Sequence, residues 1–294
     1  MTNQPVLSII IPAYNESQSI GSLLTNLCPI AENNNWEVIV VDDGSTDDTK
    51  TILSDLQNVG MFKIIKHKVN KGYGAAIKSG INNAGAPYVI TIDADGQHKI
   101  EDVANLYNIC IKSDADMVVG SRKGHKDGSV FRKIGKTSIR FIAKRLMPLK
   151  IHDINSGMKI YRTDLAKKYI SLCPDTMSYS DTILLSFVYQ RHLVLEEPIS
   201  INQRVSGKST VSISTAIETI IEIMNIVVLF NPMRIFFPVA LIFFITGFLW
   251  GIPFLINGRG VSVGSGILMI MAVMIFLLSL IAEQLSTINR NMNK

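Results

Sequence analysis

The chain is short of cysteine. It has three in 294 residues, Cys28, Cys110 and Cys173, and none of them stands in a C-x-x-C pair. An odd number of widely spaced cysteines indicates neither a disulfide framework nor a zinc site. We therefore expect buried free thiols in a reducing compartment.

Two common phosphate-binding motifs are also missing. The stretch from Gly72 to Gly74 would need a third glycine at position 77 to complete G-x-G-x-x-G, but that residue is Ile77, and the chain has no G-x-x-x-x-G-K-[ST]. These absences argue against a dehydrogenase or a P-loop enzyme. The two glycines would instead let the backbone approach a ligand at a helix start, or simply form a tight turn.

The N-terminus lacks the marks of a signal peptide. The first 16 residues, MTNQPVLSIIIPAYNE, have no positively charged region and no small-residue cleavage site, and they predict a strand. The formal net charge is +5, with basic residues clustered over 122–150, but no basic groove studded with aromatics accompanies them. We expect contact with anionic lipid or phosphate rather than nucleic acid, and a soluble part in the cytoplasm.

The apolar residues, 47% of the chain, are concentrated after residue 210. Two uninterrupted apolar stretches, 235–256 and 261–282, have about the length of a bilayer span. The connection is short, so both flanks lie on one side of the membrane, and Arg234, Arg290 and Lys294 against the lone Arg259 predict that this side is cytoplasmic. Both termini are then cytoplasmic. The small residues Gly247 and Gly251 would let such hairpins pack into a homo-oligomer, for example a tetramer.

Two amphipathic stretches precede these spans. Residues 129–149 interleave apolar side chains with lysine and arginine, which is typical of a helix on a membrane surface. A helix packed on its own domain is the alternative. Residues 213–230 form a second apolar-faced stretch that ends at Asn231 and Pro232 and leads directly into the first span.

The first part of the chain alternates between strand and helix patterns. Strands are predicted over 6–11, 36–41, 62–67, 88–92 and 116–120, with a helix after each of the first four. This alternation predicts βαβ units and a mainly parallel sheet. Ligands bind beyond the carboxyl ends of such strands, where this sequence places its polar clusters: 12–16, 42–43, 71–74, 93–97 and Arg122.

The most informative of these clusters follows the apolar run that begins at Tyr88. Asp93 and Asp95 come one residue apart at the predicted strand end, followed by Gly96, Gln97 and His98. Side chains at positions i and i+2 of a strand point the same way, so the two carboxylates would converge. A divalent cation that carries phosphates prefers such a site. A polar turn after a strand is the alternative.

Seven motifs occur in an order that resembles one enzyme family. They are IIIPAYNE, VDDGSTDDT, KGYGAA, DADGQH, VVGSR, DINSGMKIYR and RVSGKS. Together they resemble the GT-A family 2 glycosyltransferases, and within them the polyprenyl-phosphate branch. The resemblance implies an α/β GT-A catalytic domain over 1–212 that includes the 129–149 helix, a second interface helix over 213–232, and a transmembrane hairpin over 233–294.

The resemblance also implies a donor site. Pro12, Tyr14 and Glu16 would hold the ribose and base of a nucleotide sugar, and Asp42 would meet the nucleobase beside Asp43 and Gly44. The remaining donor residues that it implies are Gly72, Asp93, Arg204 and Lys208. Asp93, Asp95 and Gln97 would bind Mg²⁺ or Mn²⁺, with Asp95 and Arg204 counted as catalytic. Arg204 in a surface ion pair is the alternative.

On the acceptor side, the resemblance implies that Arg122 and Ser156 bind the acceptor phosphate and that Asp153 is the catalytic base. A phosphate monoester is already mostly ionised near neutral pH, because its second pKa is about 6. Asp153 would then orient the acceptor or sugar rather than remove a proton. A turn cap is a further alternative for Asp153.

Departures from the family pattern leave the donor open. Gly96 and His98 replace residues of the commoner DADLQDPP form, and no proline pair follows. His98 would contact a phosphate or a metal-bound water, or lie exposed in its loop. The donor could therefore be UDP-glucose, a UDP-N-acetylhexosamine, GDP-mannose or a modified pentose nucleotide. The QxxRW motif of processive synthases is missing, since the only tryptophans are Trp36 and Trp250, so we expect transfer of a single sugar.

These features predict an inverting, metal-dependent enzyme in the bilayer. It would move one sugar from a nucleotide-sugar donor to polyprenyl phosphate at the cytoplasmic face. Two alternatives remain: a family 2 glycosyltransferase that uses another lipid or glycan acceptor, and a non-catalytic membrane scaffold that keeps the fold. The intact Asp93, Asp95, Gln97 and Arg204 argue against the scaffold.

Overall fold

A computed structural model of the chain describes residues 4–57, 62–122, 151–200 and 231–292, together with 224, 227 and 228. The described residues form two compact units, one within 4–200 and one that contains 231–292. The predicted interface helix over 129–149 lies outside the described residues, as does nearly all of the one over 213–230.

The first unit is built on a seven-stranded sheet with the order β3-β2-β1-β4-β6-β5-β7. Its strands are β1 Leu7–Ala13, β2 Trp36–Asp42, β3 Lys63–Lys66, β4 Tyr88–Thr91, β5 Met117–Ser121, β6 Lys159–Arg162 and β7 Val194–Pro198. All neighbours pair in parallel except β6, which is antiparallel to both β4 and β5. This mixed, mainly parallel sheet confirms the expected α/β GT-A fold.

Within the described residues, six α-helices connect these strands, and the first four lie at nearly the predicted positions. They are α1 Ile20–Asn33, α2 Thr49–Gln57, α3 Tyr73–Asn82, α4 Ile100–Lys112, α5 Thr163–Tyr169 and α6 Tyr179–Tyr189. Every residue of β1 is buried, because helices cover both faces of such a sheet, and this explains its almost uninterrupted apolar sequence. The strands β6 and β7 and the helices α5 and α6 are additions that the sequence analysis did not identify.

The three cysteines are buried free thiols, as expected. Burial raises the pKa of the Cys28 thiol to about 11 and those of Cys110 and Cys173 to about 12. They remain protonated at neutral pH, so they are unsuited to nucleophilic chemistry or metal binding.

Strand register brings the polar loops to one edge of the sheet. Ala13 at the end of β1 lies opposite Asp42 at the end of β2, which in turn lies opposite Lys66 of β3. Lys159 at the start of the antiparallel β6 lies opposite both Thr91 of β4 and Val119 of β5. The segment that precedes β6 therefore joins the loops that follow β1 to β5.

The second unit contains two long helices, α7 Met233–Ile256 and α8 Val263–Met292. By length and composition, residues 233–256 and 263–288 are apolar enough to cross a membrane. The predicted spans of 235–256 and 261–282 match them closely, although α8 continues further toward the C-terminus.

The glycines expected to join hairpins of different copies are used inside the hairpin. A Cβ atom at Gly247 would lie 2.9 Å from Cβ of Leu268 on α8, and one at Gly251 would lie 3.1 Å from Oγ of Ser265. Both glycines are buried in this unit. They let α7 approach α8, so the small-residue argument for an oligomer is withdrawn for these two positions.

Replacing Gly247 with leucine should therefore loosen the hairpin. The side chain would overlap Leu268, and overpacking of this kind costs about 1–3 kcal/mol. Thermal unfolding of the detergent-solubilised protein measures the loss. Gly264→Leu is the control, because the only atom of the described residues found near its Cβ position is Oγ of Ser262 at 3.9 Å. Equal melting temperatures for the two variants would contradict the packing described here.

Candidate active site

The two acids of the central motif lie in a turn rather than on a strand. Strand β4 ends at Thr91, although the N–H of Ile92 still donates to Ile10 of β1 at 3.1 Å. Asp93 and Asp95 follow in the turn, so the expected strand alternation does not position them. The turn is closed by the N–H of Gln97, which donates to Oδ1 of Asp95 at 3.0 Å, a local bond typical of aspartate in turns.

The Asp93 carboxylate is held from two sides. The hydroxyl of Tyr73, the first residue of α3, donates to Oδ1 of Asp93 at 2.9 Å. A Cβ atom at Gly157 would overlap this carboxylate, at 2.8 Å from Oδ1, so only glycine leaves room for it. Burial and then the charge of Asp93 raise the pKa of Tyr73 well above its ordinary value, which keeps the hydroxyl a donor.

His98 supports this turn from its own loop. Its Nδ1 accepts the backbone N–H of Asp93 at 3.2 Å, and the residue is half-buried. The sequence analysis offered a phosphate contact or an exposed loop position for His98. The structure instead gives it a hydrogen bond to the backbone of the turn over residues 93–97, the acid turn.

The part of the site predicted to bind the nucleobase contains Asp42, which is fully buried at the end of β2. Its Oδ1 accepts the N–H of Ser45 at 2.9 Å, and its Oδ2 is buried with no hydrogen-bond partner within the described residues. A buried acceptor without a partner is costly, so an N–H donor from a ligand would stabilise it. Tyr14, 43% exposed just after β1, lies at the same sheet edge, and Pro12 is buried within β1.

Asp43 anchors the loop over residues 71–74, the glycine loop. Its Oδ1 accepts hydrogen bonds from Nδ1 of His67 at 2.6 Å and from the N–H of Lys71 at 2.9 Å. Its Oδ2 accepts a hydrogen bond from the N–H of Gly72 at 2.8 Å. Gly72 has a φ of 102°, and a Cβ there would collide with the carbonyl of Asp175. The glycine is thus required by the chain's own backbone, and the approach of a ligand to this loop stays a prediction.

The loops after β1 and β2 are joined by Asn15 and Glu16. Oδ1 of Asn15 accepts the N–H of Thr46 at 2.8 Å, and the N–H of Glu16 donates to Oγ1 of Thr49 at 2.9 Å. The Glu16 carboxylate accepts the Ser19 hydroxyl at 2.8 Å, just before α1. Sequence analysis missed Asn15, although its φ of 55° is one that asparagine tolerates well.

Arg122 and Asp153, which were predicted to lie on the acceptor side, form a bidentate pair. Nε of Arg122 lies 2.7 Å from Oδ2 of Asp153, and Nη2 lies 2.8 Å from Oδ1. Burial raises the pKa of Asp153, but the hydrogen bonds and charge of Arg122 outweigh burial and hold it below its ordinary value. Asp153 is therefore ionised, and both its oxygens are engaged by the guanidinium, which makes it a weak base.

Residues on β6 and β7 hold the segment that carries Asp153. Oε1 of Glu196 accepts the N–H groups of His152 at 3.0 Å and of Asp153 at 2.8 Å. Ser156 is fully buried and its hydroxyl bonds within its own turn to Met158. These contacts give Ser156 a structural task in place of the predicted phosphate contact.

Lys159 is the buried cation beneath this segment. It is 1% exposed, and its Nζ donates to the carbonyl of Ser156. Burial lowers its pKa to about 8, against the opposing charges of Asp181 and Asp153. Glu196 and Lys159 were both missed by the sequence analysis. A lysine inside an otherwise strand-like KIYR was the one available signal.

The acid turn suits a divalent cation, with conditions. Among the described residues, no group of three or more histidine, cysteine, aspartate or glutamate side chains could hold a metal. The turn offers two carboxylates and the Gln97 amide, which are hard oxygen donors. Mg²⁺ and Mn²⁺ accept such a partial set when phosphate and water supply the other ligands. Arg204 and Lys208, the predicted diphosphate contacts, lie outside the described residues.

Two family models match the chain. The glycosyl transferase family 2 model covers residues 8–170, and the GtrB C-terminal hairpin model covers residues 231–288. The first match includes the sheet edge with the acid turn, and the second includes both long helices.

Two of the relatives are sugar transferases by name. The dodecaprenyl-phosphate galacturonate synthase of Rhizobium johnstonii is 33% identical over 177 residues, which are 57% of this chain and 52% of that protein. The UDP-N-acetylglucosamine--dolichyl-phosphate N-acetylglucosaminyltransferase of Methanococcus voltae is 33% identical over 183 residues, 55% of this chain and 71% of that protein. The matched part thus spans about half the length of the Rhizobium protein.

Solved structures share the fold. Glucosyl-3-phosphoglycerate synthase from Mycobacterium tuberculosis, in complex with Mn²⁺, UDP-glucose and phosphoglyceric acid, superposes with a TM-score of 0.59 at 16% identity, over 76% of this chain and 80% of that one. The S. aureus TarS 1-349 structure gives a TM-score of 0.53 at 20% identity, over 76% of this chain and 64% of that one.

A mainly parallel sheet with an acid turn at its carboxyl edge defines the class of GT-A glycosyltransferases. The chain belongs to glycosyl transferase family 2, and it carries the GtrB-type C-terminal hairpin.

Proposed function

We propose that this glycosyltransferase moves one sugar from a nucleotide-sugar donor to a polyprenyl phosphate at the cytoplasmic face of a membrane. The observation that carries the proposal is the joining of a family 2 catalytic region to a GtrB-type hairpin in one chain. The names of both relatives above pair a sugar with a polyprenyl phosphate, which supports this choice of acceptor.

The donor would lie along the carboxyl edge of the sheet. Oδ2 of Asp42, buried and without a hydrogen-bond partner among the described residues, would accept an N–H of the nucleobase. Tyr14 and Glu16 would flank the base and ribose, and Asp93, Asp95 and Gln97 would hold a divalent cation. When bound, that cation offsets the charge of the departing nucleoside diphosphate. Arg204 and Lys208 would add positive charge beside the diphosphate.

The reaction would be a single displacement. A phosphate oxygen of the acceptor forms a bond to the anomeric carbon while the bond from that carbon to the diphosphate oxygen breaks, so the configuration inverts. The acceptor phosphate is largely ionised near neutral pH and needs little help from a base. Asp153, engaged by Arg122 and held ionised, would position Arg122 for the acceptor phosphate.

The chain organisation follows the same logic. We propose a cytoplasmic catalytic domain over 1–212, an interface helix over 213–232 and a hairpin over 233–294, with both termini in the cytoplasm. The hairpin would anchor the enzyme in the bilayer, which also holds the tail of a polyprenyl phosphate whose phosphate lies at the surface. Anionic headgroups would attract the basic 129–149 stretch. A homo-oligomer that forms through surfaces other than Gly247 and Gly251 belongs to this proposal.

A donor screen tests the proposal. Purified full-length protein in detergent is mixed with undecaprenyl phosphate, Mn²⁺ and radiolabelled UDP- or GDP-sugars, and the lipid products are separated by thin-layer chromatography. The expected result is one labelled lipid that mild acid releases as free sugar. A labelled product stable to mild acid, or one formed only with diacylglycerol, would favour the other acceptors. Absence of donor binding by calorimetry would favour the scaffold.

A further inference from the structure

Tyr73 is the strongest candidate for a further positioning residue. Tyr73 stands between the two glycines of the KGYGAA motif, and its hydroxyl donates a hydrogen bond to the Asp93 carboxylate at 2.9 Å. The residue is half-buried at the first position of α3. The hydroxyl is fixed on a helix and bonds an acid of the proposed metal turn, so Tyr73 can do more than fill space.

The backbone on either side of Tyr73, at the start of α3, is held by residues outside the acid turn. The N–H groups of Gly74 and Ala75, which follow it on α3, donate to the carbonyl of Asp175 at 2.8 Å and 3.3 Å. On its other side, the N–H of Gly72 donates to Asp43. The start of α3 is thus fixed independently of Asp93, and the hydroxyl is presented from a rigid element.

The other contacts of Asp93 show what remains free to vary. Its backbone N–H is held by His98, and Gly157 leaves room for the carboxylate. The Tyr73 hydrogen bond opposes rotation of the carboxylate about its Cβ–Cγ bond, and a side chain at position 157 would displace the carboxylate. A carboxylate that must bind a cation repeatedly in one orientation needs such support.

We propose that Tyr73 orients Asp93 for the divalent cation and so sets the affinity of the turn for metal. The inference rests on the proposed function through the metal assignment of Asp93. Partners of this kind typically contribute about 10- to 100-fold to metal affinity. The phenol touches a metal ligand and not the reacting atoms, so Tyr73 is a positioning residue.

The matched variants are Tyr73→Phe and Tyr107→Phe, each of which removes one hydroxyl from a half-buried tyrosine. Tyr107 packs edge-on against Trp36 and Tyr88 at the opposite edge of the sheet. Gly157→Ala serves as a second variant. Its methyl group would overlap the Asp93 carboxylate, while the Tyr73 side chain keeps its hydroxyl.

Electron paramagnetic resonance titration of Mn²⁺ with UDP present measures the affinity directly in the full-length protein. Tyr73→Phe and Gly157→Ala should each weaken Mn²⁺ binding about 10- to 100-fold, Tyr107→Phe should not, and saturating Mn²⁺ should restore kcat of Tyr73→Phe. Equal Mn²⁺ affinity in wild type and Tyr73→Phe would overturn the inference alone. If the wild-type protein bound no Mn²⁺, the metal assignment and this inference would both fail, while acceptor choice would stand on its own test.

Discussion

Asp95→Ala should abolish transfer, with a loss in kcat/KM of about a thousandfold or more. The residue contributes one of only two carboxylates in the acid turn, where the negative charge of the leaving diphosphate has to be offset. Oδ1 of Asp95 also accepts the N–H of Gln97, so the substitution removes a carboxylate and the bond that closes the turn. Product formation from a labelled donor, followed at several Mn²⁺ concentrations, measures the loss.

The control for this prediction is Asp55→Ala. Asp55 is an exposed aspartate on α2, away from the sheet edge, and its removal changes net charge by the same amount. Circular dichroism should show both variants folded, because Asp95 lies in a half-buried turn outside the core. Chelation with EDTA should silence the wild type in parallel. Full activity in EDTA, or in Asp95→Ala, would remove the metal from the mechanism.

Much of the first unit was predictable from the sequence because its signals are local. The apolar runs of β1, β2 and β4 end in clusters of aspartate and glycine, and a right-handed parallel arrangement then places those clusters on one edge. The acid turn, Asp42 and Arg122 were found in this way. The hairpin was equally accessible, since bilayer-length apolar stretches are hard to mistake.

The sequence of residues 151–200 carries weaker signals of secondary structure. Strand β6 has four residues and includes the buried Lys159, and it joins the sheet in the antiparallel sense between two strands that precede it in the chain. Helix α6 is buried on nearly all sides and includes buried serine, threonine and aspartate, so it lacks the one-sided pattern that identifies a helix. Pairing of β6 with strands so far away in the sequence produces no periodic pattern in the sequence itself.

The contacts between site residues could not be predicted from the motifs either. Motifs supplied Arg122 and Asp153 separately, whereas their bidentate contact depends on how β5 and the segment before β6 meet. The same holds for Tyr73 with Asp93, and for Asp43, which binds the glycine loop. Residue type predicts which chemistry is possible, but the partner that engages each group decides its role.

The contact between Arg122 and Asp153 predicts that the two residues act as a unit. Arg122→Ala and Asp153→Asn should each lower kcat/KM about a hundredfold, because misplacement of the acceptor phosphate by about 1 Å has effects of this size. The double variant should be about as active as the less active single variant, since either single change already removes the contact between the two side chains. Steady-state kinetics with undecaprenyl phosphate as acceptor measures all three.

The control pair has the same chemistry at the opposite edge of the sheet. Nη2 of Arg162 lies 2.9 Å from Oδ2 of Asp164, and Arg162 lies opposite Tyr88 at the start of β4. Arg162→Ala should leave kcat/KM within about twofold of wild type, because exposed ion pairs contribute little to stability. Additive losses at Arg122 and Asp153 would mean that the two residues work independently.

The pH profile separates positioning from base catalysis at Asp153. Its folded-state pKa is depressed by Arg122, so the ion pair stabilises the protein above the unfolded-state pKa and is lost only as pH falls through the folded value. Asp153 is consequently ionised throughout the neutral range, and the acid limb of kcat/KM should follow the acceptor phosphate, near pH about 6. Asp153→Asn should lower the whole profile and leave that limb in place. If the limb vanished in this variant, Asp153 would be the base after all, and the proton would pass to it rather than leave the phosphate unaided.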